Sequence, residues 1–145
     1  MVHDGIEWPR GVHVSTDQSL LAVNDPRTKW VWSFQVQHDG SLANGQPFYR
    51  LETPDDATGS EAGGMTFDTE GFLYVATPLG VQVCDQPGRV VAILNPPGSA
   101  GVSNVLFAGP NMQWLYVTDG DKMYRRPVKR RGAAWNPVKP PQPRL

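Results

Sequence analysis

A single cysteine, Cys84, leaves the chain without an intramolecular disulfide or a thiolate cluster for zinc, which fits a reducing compartment. Long apolar runs are missing as well. Nothing approaches the roughly 20 residues of a membrane-spanning helix. The start, Met1-Val2-His3-Asp4-Gly5, has neither the positive charge nor the apolar stretch of an export leader. A soluble, cytoplasmic chain with no membrane partner is the expectation.

Helical patterning is also absent, because glycine (15 residues) and proline (14) break every window in which a 3.6-residue period could run. Basic side chains are scarce over most of the length: residues 1–120 hold 5 against 13 acidic ones, whereas residues 121–145 hold 8 against 1. The basic end lacks interleaved aromatics and any motif that reads bases, so it is expected to be a solvated strand face without a nucleic-acid partner.

What remains is a chain of 145 residues, enough for one domain with a real core. Its organisation is a repeat. Gly11-Val12-His13-Val14 precedes Leu21-Ala22-Val23, Gly64-Met65-Thr66-Phe67 precedes Leu73-Tyr74-Val75, and Asn104-Val105-Leu106-Phe107 precedes Leu115-Tyr116-Val117. Between the members of each pair stand turn-forming residues: Ser15 to Ser19, Asp68 to Gly71, and Ala108 to Gln113. Each unit therefore opens with a hairpin.

A third strand follows in each unit, over Trp30 to Val36, Val81 to Cys84 and Lys122 to Arg125, where period-two alternation buries one face. Fourth strands are predicted at Pro47 to Leu51 and Arg89 to Leu94. In the last unit Pro127 is expected to interrupt the chain after Arg126, leaving no clean fourth strand. Four-stranded units spaced about 40 to 53 residues apart describe propeller blades. The fold class is all-β: a β-propeller of about three four-stranded blades, half of a six-bladed ring. The blades run over about 8–54, 60–99 and 101–131 within a half-propeller of 1–132, and 133–145 forms a proline-rich extended tail.

The segments Gly64 to Thr77, Gly80 to Asp85, Ser103 to Pro110, Leu115 to Thr118 and Tyr124-Arg125 together resemble the C-terminal blades of the senescence-marker-protein/gluconolactonase/luciferin-regenerating-enzyme-like family. Asp39-Gly40-Ser41-Leu42-Ala43-Asn44-Gly45 resembles its turn between third and fourth strands. The resemblance covers roughly residues 8 to 132 and about half of such a propeller. It implies a six-bladed ring that holds one divalent cation, such as calcium or zinc, at the mouth of its channel and hydrolyses sugar lactones or related esters.

The implied metal ligands are a first-blade glutamate, the asparagine of a Pro-Asn-Gly turn and the aspartate of an Asp-Gly-Met turn. The chain departs from that pattern. Pro9-Arg10-Gly11 places a permanent cation at the asparagine position, Gly63-Gly64-Met65 places no side chain at the aspartate position, and the first-blade region lies outside this sequence. No metal or other cofactor and no catalytic residue is therefore expected. The candidate ligand-binding residues at the channel mouth are Arg10, Gly63 and Asn104, with an anion in place of the metal. Arg10 paired with Glu7 or Glu61 is the alternative. Asp55-Asp56 reads as a solvated loop, and His13, beside Val12 and Val14, as a hydrogen-bonded structural histidine.

Three blades alone would leave two apolar faces open to water, and five tryptophans make such exposure costly. A second copy related by a twofold axis would close the ring, with residues 1–7 of each chain completing the partner's last blade. The function expected is a gluconolactonase-like half-propeller serving as a scaffold or as a small-anion or partner-binding module. The alternative is a metal-dependent lactone or ester hydrolase with a rearranged site, or one completed by another polypeptide. A segment of a longer enzyme is a third option.

Overall fold

The computed structural model describes residue 1 and residues 3–134. Within them the chain forms three antiparallel sheets in which strands adjacent in sequence are adjacent in space. The first sheet holds β1 (Val12–Val14), β2 (Leu20–Asn24), β3 (Trp30–Val36) and β4 (Leu42–Arg50). The middle sheet holds β5 (Met65–Phe67), β6 (Leu73–Thr77), β7 (Gly80–Cys84) and β8 (Val90–Leu94). The third holds only β9 (Val102–Ala108), β10 (Trp114–Asp119) and β11 (Lys122–Pro127).

Side-chain acceptors set the hairpins. The Asp17 carboxylate accepts hydrogen bonds from the Ser15 hydroxyl at 2.6 Å and the Ser19 amide at 3.0 Å. One oxygen of Asp68 accepts from the Glu70 and Phe72 amides, each at 2.9 Å, and Gly71 takes the positive φ of 84° that the turn requires. In the third unit a short 3-10 turn, Pro110–Met112, does the same work.

Two strand boundaries differ from expectation. Leu42 to Gly45 belong to β4 and not to the preceding turn, which contracts around Asp39, whose carboxylate accepts from the Ser41 amide. Gly45 is needed inside that strand, because a Cβ there would stand 2.3 Å from the Phe34 ring. At the other end β11 runs on through Pro127, which pairs with Trp114. A proline at the last position of an edge strand sacrifices little of the ladder.

The first strands of the sheets, β1, β5 and β9, stand side by side, and the sheets stack face to face around them. Between the first and middle sheets lie Ala22, Val31, Tyr49, Leu51, Met65, Phe67, Leu73, Val75 and Cys84. Between the middle and third lie Tyr74, Ala76, Val81, Val83, Val102, Val105, Phe107 and Leu115. Because successive strand residues point to opposite faces, every residue of β6 and β7 is buried. Each such apolar side chain contributes about 1.5–3 kcal/mol. Three twisted sheets around one set of inner strands are three blades of a β-propeller, half of a ring.

The outer faces of the stack are only partly covered: on the first sheet the His3 ring lies against Trp32 and Phe34, and Phe34 is buried. Strand register puts Val12, Val23 and Trp32 in one row on the open face of the first sheet, with Val14, Leu21 and Phe34 in the next. On the third sheet Leu106, Tyr116 and Arg125 form a row, flanked by Trp114 and Met123. Val12, Leu106 and Met123 are 63%, 47% and 71% exposed.

After β11 the chain turns back under the stack, at the end away from the start of β5. The Val128 amide donates to the Gln113 carbonyl, Thr69 to Arg131 and Gly132 to Met112, at 2.9–3.0 Å. Arg130 lies over the Phe72 ring at 3.8 Å and pairs with Glu70 at 2.6 Å and with buried Asp68 at 3.5 Å. Arg130 is thus a tie between sheets and not part of a solvated basic face. Most of the extended tail expected over 133–145, including Trp135, lies outside the described residues.

Candidate functional site at the channel mouth

The strands β1, β5 and β9 all begin at the same end, so the turns ahead of them converge. A groove of about 600 Å3 there is lined by Arg10, Gly11, Gly63, Gly64, Ser103 and Asn104, among others. The structure thus brings together Arg10, Gly63 and Asn104, the three residues that the family resemblance pointed to at the channel mouth.

A buried asparagine holds the first two turns in place. Asn24, at the end of β2 and fully buried, accepts the Gly11 amide on Oδ1 at 2.9 Å and donates from Nδ2 to the Gly63 carbonyl. Its backbone also bonds both ways, taking the Arg10 amide at 3.1 Å and donating to the Gly11 carbonyl at 3.0 Å. Across the next seam the Gly64 amide donates to the Ser103 carbonyl at 2.9 Å, and Asn104 Oδ1 accepts its neighbour's Val105 amide at 2.9 Å.

The glycines here are close-approach glycines. A Cβ on Gly63 would stand 2.0 Å from the Ser103 carbonyl oxygen, one on Gly11 would stand 2.6 Å from the Gly63 carbonyl oxygen, and one on Gly64 would strike the Asn104 side chain. Backbone meets backbone at the mouth because these positions carry no side chain.

Asn24 and Ser103 escaped the sequence reading. A signal existed: Asn24, Thr77 and Asp119 are polar residues ending the second strand of each unit, and all three are buried. Asp119 accepts the amides of Gly98 and Ala100 at 2.9 and 3.0 Å, and the Thr77 hydroxyl donates to the Gly80 carbonyl at 2.9 Å. In each repeat this residue ties off the loop at the mouth end.

Electrostatically the groove is cationic. No carboxylate lines it, and Arg10 is exposed with no ion pair to Glu7 or Glu61 among the described residues. His13, one residue into β1's core-facing side, is half-buried with its ring centroid 6.2 Å from that of Phe67. Burial lowers its pKa, so it is neutral at pH 7. It meets the neighbouring sheet by ring contact and also lines the mouth groove, and it departs from the expected hydrogen-bonded histidine: among the described residues its side chain makes no hydrogen bond. Asp55 and Asp56 are exposed on the loop between the first and middle sheets.

A hard divalent cation needs several oxygens converging on one point. At this mouth the Gly63 carbonyl is engaged by Asn24, Asn104 Oδ1 by an amide and the Ser103 hydroxyl by Thr118, and the other polar side chains are the Arg10 guanidinium and a single imidazole, that of His13. Among the described residues no three of His, Cys, Asp and Glu gather anywhere. These donors do not fit the divalent cation that the propeller resemblance implies.

A three-bladed half-propeller with its candidate site at the mouth of the channel is the class the fold and groove define. Residues 1–120 match the family model described as SMP-30/Gluconolactonase/LRE-like region, and the chain belongs to that family. Solved structures share the fold. A luciferin-regenerating enzyme superposes with a TM-score of 0.76 at 24% identity, over 92% of this chain and 50% of that one. A gluconolactonase from Xanthomonas campestris gives 0.69 at 27% identity, over 85% and 38%. A calcium-binding protein, regucalcin, from Agrobacterium tumefaciens gives 0.75 at 17% identity, over 91% and 50%. The chain spans half or less of the length of each.

Proposed function

We propose that this chain is a non-catalytic half-propeller that pairs with a second copy into a six-bladed ring and binds a small anion, not a metal, at the ring's mouth. The observation that carries the pairing is the stack itself: three sheets, the inner three strands of the middle one buried on both faces, with apolar rows only partly covered at both ends. A twofold axis along the channel apposes the first sheet of each copy to the third sheet of the other and covers both rows.

The same axis brings two Arg10 side chains to one mouth. A pair of guanidiniums in a groove free of carboxylates suits a carboxylate or phosphate group. The close approach of Gly63 to Ser103, with no room for a side chain, supports the absence of the family's metal-binding carboxylate and hence of lactone hydrolysis.

The test is solution mass by light scattering, metal content on the same peak, and calorimetric titration with gluconate and with inorganic phosphate. A dimer free of stoichiometric metal that binds either anion, and loses it in Arg10→Ala, supports the proposal. Chelator-sensitive hydrolysis of a sugar lactone overturns it.

A further inference from the structure

The first and middle sheets have four strands and the third has three, and among the described residues no strand pairs with the outer edge of β11. An edge strand left open exposes a row of unpaired backbone groups that invites another strand. Beside that edge lies a cleft of about 280 Å3 with an apolar floor that includes Val81, Leu94, Val102, Leu115 and Tyr124. A fourth strand on β11 would roof this cleft, as β4 and β8 do for the corresponding positions of their own sheets.

The order of the chain says where such a strand comes from. β4, the outermost strand of the first sheet, leads into β5, the innermost of the middle sheet, and β8 leads in the same way into β9. By that rule the segment ahead of β1 belongs to the outer edge of whichever blade precedes the first sheet. In the two-copy ring, on which this inference rests, that blade is the partner's third. We propose that the N-terminal segment, residues 1–7, of each copy completes the third sheet of the other by pairing with β11.

Three observations support that occupant. The segment already lies on the face that the partner's third sheet would cover: the His3 ring centroid is 5.6 Å from that of Trp32 and 4.8 Å from that of Phe34, both on the outer face of β3, one strand inward of a fourth-strand position. Charge is complementary, with Asp4 and Glu7 in the segment against exposed Lys122, Arg125 and Arg126 on β11. Length suffices with a link like residues 95–101 between β8 and β9, which before Val12 leaves the residues up to Asp4 as a strand comparable with three-residue β1 and β5; a link as long as residues 51–64 between β4 and β5 would leave none. The C-terminal residues 135–145 are a poorer match, since they carry four prolines, which donate no backbone hydrogen bond, and their charged side chains repeat the sign of β11.

The decisive experiment mixes full-length Asp4→Cys with full-length Arg125→Cys under mild oxidation, Cys84 being buried. A covalent dimer that forms in the mixture and not in either variant alone is expected. Alongside it, removing residues 1–7 is expected to raise the dimer dissociation constant at least tenfold and to speed amide exchange in β11 while β6 stays protected. Persistence of the dimer with β11 still protected overturns strand exchange and leaves the ring intact. Loss of that protection on removing residues 135–145 instead assigns the edge to the tail and also overturns it. A monomeric parent chain overturns the ring itself.

Discussion

The backbone of Gly63 passes so near Ser103 that a Cβ at residue 63 would stand 2.0 Å from the Ser103 carbonyl oxygen, while the next amide, that of Gly64, bonds the same oxygen at 2.9 Å. The contact is between two backbones, so neither can yield without moving a strand. A side chain at residue 63 is therefore not a neutral addition to the mouth.

Gly63→Asp, which restores the carboxylate of the implied metal site, is expected to destabilise the chain by about 2 kcal/mol or more through overpacking. It is not expected to restore metal affinity, because Arg10 remains. Urea unfolding and calcium or zinc titration of Gly63→Asp and of Arg10→Asn/Gly63→Asp measure both points. A stable single variant that binds metal tightly would show that the mouth rearranges freely.

Asn24 fixes two turns with one side chain, accepting from Gly11 and donating to Gly63 while fully buried. Asn24→Ala strands both partners without water, an expected loss of about 2–3 kcal/mol. Asn24→Asp is isosteric but, once ionised, sets a carboxylate against the Gly63 carbonyl, and is expected to be at least as destabilising at a pH where that carboxyl has lost its proton. A shift in urea midpoint with an unchanged slope is the readout.

Much of this architecture was legible in residue order. The β2 and β3 patterns, Leu21-Ala22-Val23 and Trp30 to Val36, fall on real strands because one face of each is buried, so alternation is enforced. The residues Leu42 to Gly45 were misplaced because Asn44 and Gly45 look like turn formers, and only the tertiary position of the Phe34 ring makes a glycine necessary inside a strand. The mouth residues Arg10, Gly63 and Asn104 were reached through the family resemblance, which marks the turns ahead of the inner strands as the mouth. Asn24 was not, since its partners, 13 and 39 residues away, come together only through the stacking of two sheets. Likewise nothing local announces that Arg130 ties off against Asp68.

Cys84 is fully buried, and desolvation, helped by the neighbouring Asp85 charge, pushes its thiol up to about 12. Burial raises Tyr49, which packs in the same cluster, to about 12 as well. In both cases the folded pKa exceeds the unfolded one. The stability tied to the neutral forms is thus complete below about pH 9 and is lost as pH rises toward 12. The urea midpoint is expected to be flat from pH 7 to about 9 and to fall above that, less steeply in Cys84→Ala. At pH 8 Ellman's reagent is expected to label native Cys84 ~1000-fold or more slower than free cysteine, and at full rate in urea. Rapid labelling of the native chain would place the thiol at an open surface and contradict the packed seam.

The open face of the third sheet offers the sharpest test of pairing, because a charge there should harm assembly and leave both packed seams intact. Leu106 is 47% exposed on β9, at the channel edge of the third sheet where it also lines the mouth groove, and shares its row with Tyr116 and Arg125. Leu106→Glu removes no contact from either packed seam, so urea unfolding monitored at low concentration should change little. In a closed ring the same carboxylate would be trapped against the apolar row Val12, Val23 and Trp32 of the partner. The dimer dissociation constant is then expected to rise at least about thirtyfold, equivalent to roughly 2 kcal/mol. Thr58→Glu, on an exposed loop away from that face, serves as the control and should leave it unchanged. Sedimentation equilibrium across a hundredfold range of concentration distinguishes the two. An unchanged dimer in Leu106→Glu would mean that the copies associate through some other surface, and that this row stays open to water.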